Sequence, residues 1–485
     1  MSISANVRGW TRSALVGALA GLAGCAVGPN FKRPAPPHAN QYDAAIAETD
    51  AQGPRISEGA VSADWWRLFG SDALDALVVE GLRASPTLQK AQAELAQSRD
   101  QVRAGAGVFY PSLSADLGAG RQLASPARFG VAGPGSQFNL FTLSSTLTYA
   151  LDLFGGQRRT VESLRAASDR QSWQVGSAYL SLTGSIVDGA IAASAYDSET
   201  AALKEIVRLD EVERDAASSQ ASTGVDAYST LYRVSQQLES DRQALDAAEQ
   251  KDASARRLLK MLTGREPGEG LPAEPTAFDH LEPPVDAPVS LPAQLVRNRP
   301  DIRASEAALH QASAQIGVAT AALFPSISLS ATDGLESTAF STLGAAQSRF
   351  WSYGVSADAP LFDGGARWFQ RNAAKDAYRA ALADYRQTVL AALQQTADAL
   401  GALRSDAVAV RSAQAGMEAA AQGKALAEDN VEAGVSSVYD AVEYELAYQR
   451  ARLVYVQAKA QELQDVVSLY LASGGGWRGQ GTGAP

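Results

Sequence analysis

Two periodicities alternate along the chain. Over residues 138–152, Phe141, Leu143, Leu147, Tyr149 and Leu151 fall on one side, while Thr142, Ser144, Thr146 and Thr148 fall on the other. Period-two alternation of this kind predicts a β-strand with unlike faces. Residues 112–121 read the same way, Leu113, Ala115, Leu117 and Ala119 against Ser112, Ser114, Asp116 and Gly118. Two further strands follow: Ile327, Leu329 and Ala331 against Ser326, Ser328 and Ser330, then Trp351, Tyr353, Val355 and Ala357 against Ser352, Gly354, Ser356 and Asp358. Between and after these pairs the pattern becomes helical. From Gly156 to about Ser222, and from Gly365 to about Glu432, no proline interrupts an alanine-rich run. Each run predicts a helix of ~100 Å at a rise of ~1.5 Å per residue, a length that belongs to coiled coils.

The runs break at Thr223-Gly224-Val225 and Ala433-Gly434-Val435, and helices over about 226–262 and 436–471 return. In the last, Val435, Tyr439, Val442, Leu446, Gln449, Leu453, Val456, Ala460, Leu463, Val467 and Tyr470 step by four and three, a heptad seam with one polar member. Its counterpart, Leu231, Val234, Leu238, Leu245, Ala248, Leu259 and Leu262, is more interrupted. Shorter helices over 85–109 and 301–323 are placed to stack end to end with the returning ones. Strand hairpins are expected to point one way and helical hairpins the other. The chain is therefore internally duplicated. Pro86 and Pro300 lie 214 positions apart, as do Pro111 and Pro325, and Gly224 and Gly434 lie 210 apart. Such repetition marks a symmetric scaffold. The expected organisation is a signal peptide (1–24), an anchor and extended tether (25–62), a first repeat (63–262), a connector (263–297), a second repeat (298–471) and a tail (472–485).

The four strands have two readings. One is a half-buried sheet packed on helices. The other is a membrane barrel wall, apolar toward lipid and Ser/Thr toward water. Phe138, Phe141 and Tyr149 in one strand, and Phe350, Trp351 and Tyr353 in another, could supply interfacial girdles. Residues 122–137 and 333–348, rich in Gly, Ser and Ala, are expected as hairpin loops. Four strands cannot close a barrel and an open edge in lipid is forbidden, so spanning strands require several chains. The helices are too polar to face lipid and are expected to project into water.

Composition narrows the classes. With 46% hydrophobic and 20% charged residues the chain is not disordered. A net charge of −11 disfavours nucleic acid. The single cysteine, Cys25, excludes an internal disulfide framework. Arg8 and Arg12, the short apolar run Ser13 to Gly24, and Leu22-Ala23-Gly24-Cys25 resemble a bacterial lipoprotein signal. That resemblance implies cleavage before Cys25 and covalent lipid on it, and Ala26 is compatible with the outer membrane. The alternative is a plain secretory signal with a chance cysteine. Pro29, Pro34, Pro36 and Pro37 block a helix in the tether. A short amphipathic helix is expected from Asp64 through Leu82, with the Trp65-Trp66 pair packed in a core.

Several motifs now fit one family. Cys25-Ala26-Val27-Gly28-Pro29-Asn30-Phe31, Asp64-Trp65-Trp66 through Phe69, Arg297-Asn298-Arg299-Pro300-Asp301-Ile302, the paired 109–113 and 323–327, the two Gly-Gly ends and Gly474-Gly475-Gly476-Trp477 occur in order. In these the chain resembles the TolC-like outer-membrane efflux proteins, in particular the OprM-like lipoprotein branch. The resemblance covers essentially the whole mature chain. It implies an α+β membrane protein in which three chains close a twelve-stranded transmembrane β-barrel over an α-helical coiled-coil barrel crossing the periplasm. The implied partners are a periplasmic adaptor and an inner-membrane RND-type pump, besides outer-membrane lipid. No chemistry or cofactor beyond the lipid is implied. The residues agree on that point: His38, His280 and His310 lack ligand spacing, and Gly155-Gly156 lacks the Lys-Ser/Thr of a phosphate loop.

The family closes its periplasmic end with acidic rings and hydrogen bonds at the helical tips. The matching positions are Asp440 and Glu443, and their first-copy equivalents are Thr230 and Arg233. One expectation is a gate of repelling carboxylates, with Arg233 pairing with Glu443 or Asp440. The other is a capping box from Ser437 to Asp440 that merely starts a helix. Adaptor contacts are expected around Gly224, Val225, Gly434 and Val435. Competing functional classes are the conduit of a type I protein secretion system and a structural coiled-coil lipoprotein without a pore.

Overall fold

A computed structural model describes residues 26–35, 55–58, 62–130, 132–284, 286–289 and 292–477. The expected signal peptide, the lipidation site Cys25, most of the tether, His38 and the tail from 478 lie outside the described residues. The elements are β1 (Arg55–Glu58), α1 (Asp72–Ala84), α2 (Pro86–Ala106), β2 (Ser112–Ala124), β3 (Ser136–Leu151), α3 (Gly156–Ser222), α4 (Tyr228–Leu262), β4 (Asp286–Val289), α5 (Pro292–Asn298), α6 (Pro300–Ala321), β5 (Ser326–Ser337), β6 (Arg349–Asp358), α7 (Ala366–Glu432) and α8 (Val438–Ala472). The duplication is visible in lengths: α3 and α7 have 67 residues each, and α4 and α8 have 35 each. Among the described residues no helix is long and apolar enough to cross a membrane.

Two compact units emerge. The sheet unit takes 26–33, 96–170 and 306–384. Its four strands are antiparallel in the order β2-β3-β5-β6. The register carries the alternation across the sheet. Leu113, Leu147, Ala331 and Tyr353 stand in one row, and Ser112, Thr148, Ser330 and Gly354 in the next. Directly opposed residues share a face, so one face is mostly apolar and the other mostly Ser, Thr, Gly and Asp, with Phe350 and Glu336 also on it. Hydroxyls pair along the polar face, Thr146 with Thr332 at 3.0 Å and Ser328 with Ser356 at 2.7 Å. The expected loops shorten, because the ladder continues through polar residues: Arg121 pairs with Asn139 and Ala124 with Ser136, and β5 runs to Ser337. Backbone pairing needs no apolar side chain, so the loss of alternation does not end a strand.

Of the described residues, the helical unit takes 34–35, 55–58, 62–95, 171–284, 286–289, 292–305 and 385–477. Here α3 and α4 run antiparallel, as the pairs Lys204–Glu249 and Glu211–Arg242 show. α7 and α8 do likewise, through Lys424–Glu445. Beyond Val435, which lies before α8 and is exposed, the seam lies where the heptads put it: Val442, Leu446, Gln449, Val456, Leu463, Val467 and Tyr470 of α8 are buried, as are Val234, Leu238, Ala248 and Leu259 of α4. Trp65 is fully buried and stacks on Tyr470 with centroids 5.2 Å apart. The Trp66 indole N–H donates to Asp75 at 2.9 Å. The expected single helix from Asp64 splits in two. A 3-10 turn over Trp65–Phe69 stops at left-handed Gly70, and Ser71 restarts the chain by accepting from the Leu74 N–H.

Arg299 explains the Arg-Asn-Arg-Pro-Asp run. Its guanidinium binds Asp301 (2.8 Å) and the Gln395 side chain (2.6 Å), and it donates to the Ala472 carbonyl (3.1 Å). A buried cation thus satisfies the C-terminal end of α8. One feature departs from the expected tether and connector: β1 pairs in parallel with β4, Arg55 opposite Asp286 through Glu58 opposite Val289. Each strand has only four residues, too few for a periodic signal.

Candidate functional sites

In the sheet unit the apolar face is uncovered. Leu117, Tyr353 and Val355 are 75%, 78% and 71% exposed, and Trp351 stacks on Tyr353 at 5.6 Å. Exposed apolar area this continuous marks an interaction surface. β2 and β6 form the sheet's edges, each with one unpaired side. The strands have 13, 16, 12 and 10 residues, and about 9–11 tilted residues suffice to cross a bilayer. One ion pair, Arg349–Asp333 at 3.1 Å, stands in the apolar rows.

The same unit holds residues 26–33 in a pocket of small residues. The Val27 N–H donates to the Phe154 carbonyl at 3.0 Å. A Cβ on Gly155 would lie 2.6 Å from Ala26, and one on Gly28 would lie 2.6 Å from the Gly317 Cα. Both glycines have positive φ, so they supply conformation and clearance together. Buried Arg159 donates to Asn30 Oδ1 (2.7 Å), the Val27 carbonyl (3.3 Å) and Glu162 (2.6 Å). His310 stacks on Phe31 at 4.4 Å and bonds Glu162 at 2.9 Å, and Arg33 pairs with Glu306 at 2.6 Å. Burial works to raise the Glu162 carboxyl, but Arg159 and His310 hold it below its ordinary range. His310 is thus a packing residue. The motif after Cys25, expected as an extended tether, is a docked ligand of its own chain as far as Arg33.

In the helical unit both long helices end at a left-handed glycine. Gly224 has φ 74° and Gly434 φ 71°. The N–H of Val225 reaches back to the Gln220 carbonyl (2.9 Å), and that of Val435 to Asn430 (2.8 Å), the six-to-one bond of a Schellman end. Val225 and Val435 project from the two tips, each 76% exposed.

Beyond the second tip Ser437 and Asp440 form the capping box. The Asp440 N–H donates to the Ser437 hydroxyl oxygen (3.2 Å), and Asp440 Oδ2 accepts from the Ser437 N–H (2.9 Å). The Ser437 backbone and hydroxyl bonds hold the Asp440 carboxyl below its ordinary value. Glu443 is exposed one turn on. Thr230 is half-buried and closes the first turn of α4 on the Ala227 carbonyl at 3.0 Å.

The expected pairing of Arg233 with Glu443 or Asp440 is not what the chain makes. Arg233 lies 3.7 Å from Glu213 of α3. Glu213 also accepts from the Tyr439 hydroxyl at 3.0 Å, tying α8 to α3. Burial and the neighbouring Glu213 push the Tyr439 phenol up to about 12, so it remains a donor at neutral pH. Sequence reading placed Tyr439 in the seam and passed over Glu213, which carries no local signal midway along an unbroken helix.

The outer membrane efflux protein family model matches residues 77–265 and 291–475. Nodulation protein T of Rhizobium leguminosarum bv. viciae is 28% identical over 96% of this chain and 93% of its own. Outer membrane protein OprJ of Pseudomonas aeruginosa is 29% identical over 96% and 95%. The outer-membrane channel OprN has a similar fold, with a TM-score of 0.80 and 26% identity over 93% of this chain and 100% of that one. The CmeC outer membrane channel of Campylobacter jejuni gives 0.84 at 22% identity, over 94% and 96%. Matched across both repeats, the chain belongs to the outer membrane efflux protein family.

Proposed function

We propose that this protein is the outer-membrane exit duct of a tripartite efflux system, a trimer whose chains each give four strands to one twelve-stranded barrel. The observation that carries the reading is the sheet. It exposes an apolar face and two open edges in a chain with no membrane-crossing helix among the described residues. Strands can face lipid only when every edge is paired, and successive copies joined edge to edge meet that requirement. Lipid on Cys25 would enter the same membrane, since Ala26 is held at Gly155 just after β3 ends.

The helices form the water-filled passage toward the pump. A periplasmic adaptor meets the exposed tips at Gly224-Val225 and Gly434-Val435. The tips also gate: Tyr439, Glu213 and Arg233 hold helices together in the closed state, and Asp440 and Glu443 bring carboxylates near the threefold axis. Purified protein should run as a heat-modifiable trimer and conduct ions in planar bilayers. A monomer without conductance, verified as inserted, would leave a structural coiled-coil lipoprotein instead. Protein export in place of small-molecule export would identify a secretion conduit. Mass spectrometry of the mature N-terminus tests the lipid.

A further inference from the structure

Asp210 of α3 is 1% exposed, and neither of its side-chain oxygens has a hydrogen-bond donor. Beside it stands Asp241 of α4, which accepts from Gln237 at 2.9 Å. Arg450 of α8 lies 3.6 Å from Asp241 and 4.0 Å from Asp210. Those distances neutralise charge but are too long for hydrogen bonds. Glu213 on α3 also acts on Asp210, and Arg233 on α4 and Tyr439 on α8 in turn face Glu213. Three carboxylates therefore face two guanidinium groups, and each cation is at least half exposed. A buried carboxylate without a donor is expensive. The donor available inside this cluster is a proton on one carboxyl, hydrogen-bonded to the other.

We propose that Asp210 and Asp241 share one proton, and that the resulting single negative charge, neutralised by Arg450, locks α8 to the α3–α4 pair. Burial first, and Asp241 second, push Asp210 up to about 7, which puts release of the proton in the neutral range. Separated and solvated carboxyls release it near their ordinary value of 3.8. The packed arrangement thus binds a proton that the loosened one does not. Packing is favoured below about 4, weakens as pH rises toward about 7 by at most about tenfold per pH unit, and is level above that.

The test uses full-length protein in detergent. Infrared difference spectra between acid and alkaline samples should show loss of a protonated-carboxyl band with a midpoint near neutrality. Asp188 and Asp406 are also pushed up to about 7, so the band is assigned by subtracting Asp210→Asn, which removes one component. Arg450→Gln should move that component to higher pH, because a lost cation favours the protonated pair. Amide exchange over 205–245, corrected for intrinsic rates, should quicken as pH rises in the wild type. In Asp210→Asn, whose amide can donate permanently to Asp241, it should stay slow. A spectrum unchanged by Asp210→Asn overturns the shared proton. An unmoved or lowered midpoint in Arg450→Gln overturns the clamp, and pH-independent exchange in the wild type overturns the lock. Neither readout involves conduction, so this proposal and the pore reading fail separately.

Discussion

Replacing Tyr439 by Phe removes one oxygen and keeps the ring. The lost interaction is a hydroxyl donating to the Glu213 carboxylate at 3.0 Å, between α8 and α3. Hydrogen bonds to charged acceptors contribute about 1.5–3 kcal/mol. Tyr439 is half-buried and Arg233 still faces Glu213 at 3.7 Å, so the lower end applies, about 1.5 kcal/mol per chain. That is roughly a tenfold change in the closed-to-open ratio for one link. If three links in a trimer break in concert, the changes multiply to about a thousandfold. Single-channel recording of Tyr439→Phe should therefore show openings at least tenfold more frequent, with thermal stability little altered. Glu213→Gln keeps an acceptor for Tyr439 and should give a smaller rise. An opening frequency within about twofold of wild type, in protein of normal stability, would refute the view that this bond holds the tip closed.

Other substitutions probe the remaining parts. The double change Asp440→Ala, Glu443→Ala should raise conductance if the carboxylates gate; unchanged gating with faster amide exchange over 437–441 would return Asp440 to its capping box alone. Gly28→Val puts a side chain against Gly317, where Cβ already falls 2.6 Å from Cα. Overpacking costs about 1–3 kcal/mol, so residues 26–33 should undock and become protease-sensitive while the body keeps its melting temperature. Leu143→Arg, in an apolar row of the sheet, should destabilise the inserted barrel by about 2–4 kcal/mol in urea titrations in lipid. Thr148→Arg, on the polar face opposite Ser112 and Ser330, should be tolerated, and equal losses from both would contradict the assignment of faces.

The features legible in the sequence are those written in local pattern. Period-two alternation located all four strands, and the absence of proline located both long helices to within a residue or two. Gly224 and Gly434 announced the tips because a helix end in the left-handed region favours glycine. What escaped depends on contacts far apart in sequence. Glu213 meets Tyr439 across 226 positions, and only the packed register of two helices brings them together. The seat of residues 26–33 rests on glycines that a pattern reads as breaks, although Gly28 and Gly317 are in contact because neither has a Cβ. The β1–β4 pairing was hidden for another reason, since four residues cannot display a period.

Duplication supplies the frame, and divergence between the copies assigns the tasks. The first tip starts α4 at Ala227 without a side-chain cap, while the second starts α8 with the Ser437–Asp440 box. Phe154 stacks on Phe324 at 4.7 Å beside the docked N-terminal segment. Its counterpart Phe362 is 92% exposed, as is neighbouring Leu361 at 96%. One copy's strand-to-helix junction is thus filled from within the chain, and the other's is open. Identical copies would make the seam inside a chain and the seam between chains equivalent, with nothing to fix where one subunit ends. Unequal copies distinguish them. If three chains assemble as proposed, Leu361 and Phe362, exposed in the single chain, are the apolar side chains a neighbour would have to cover.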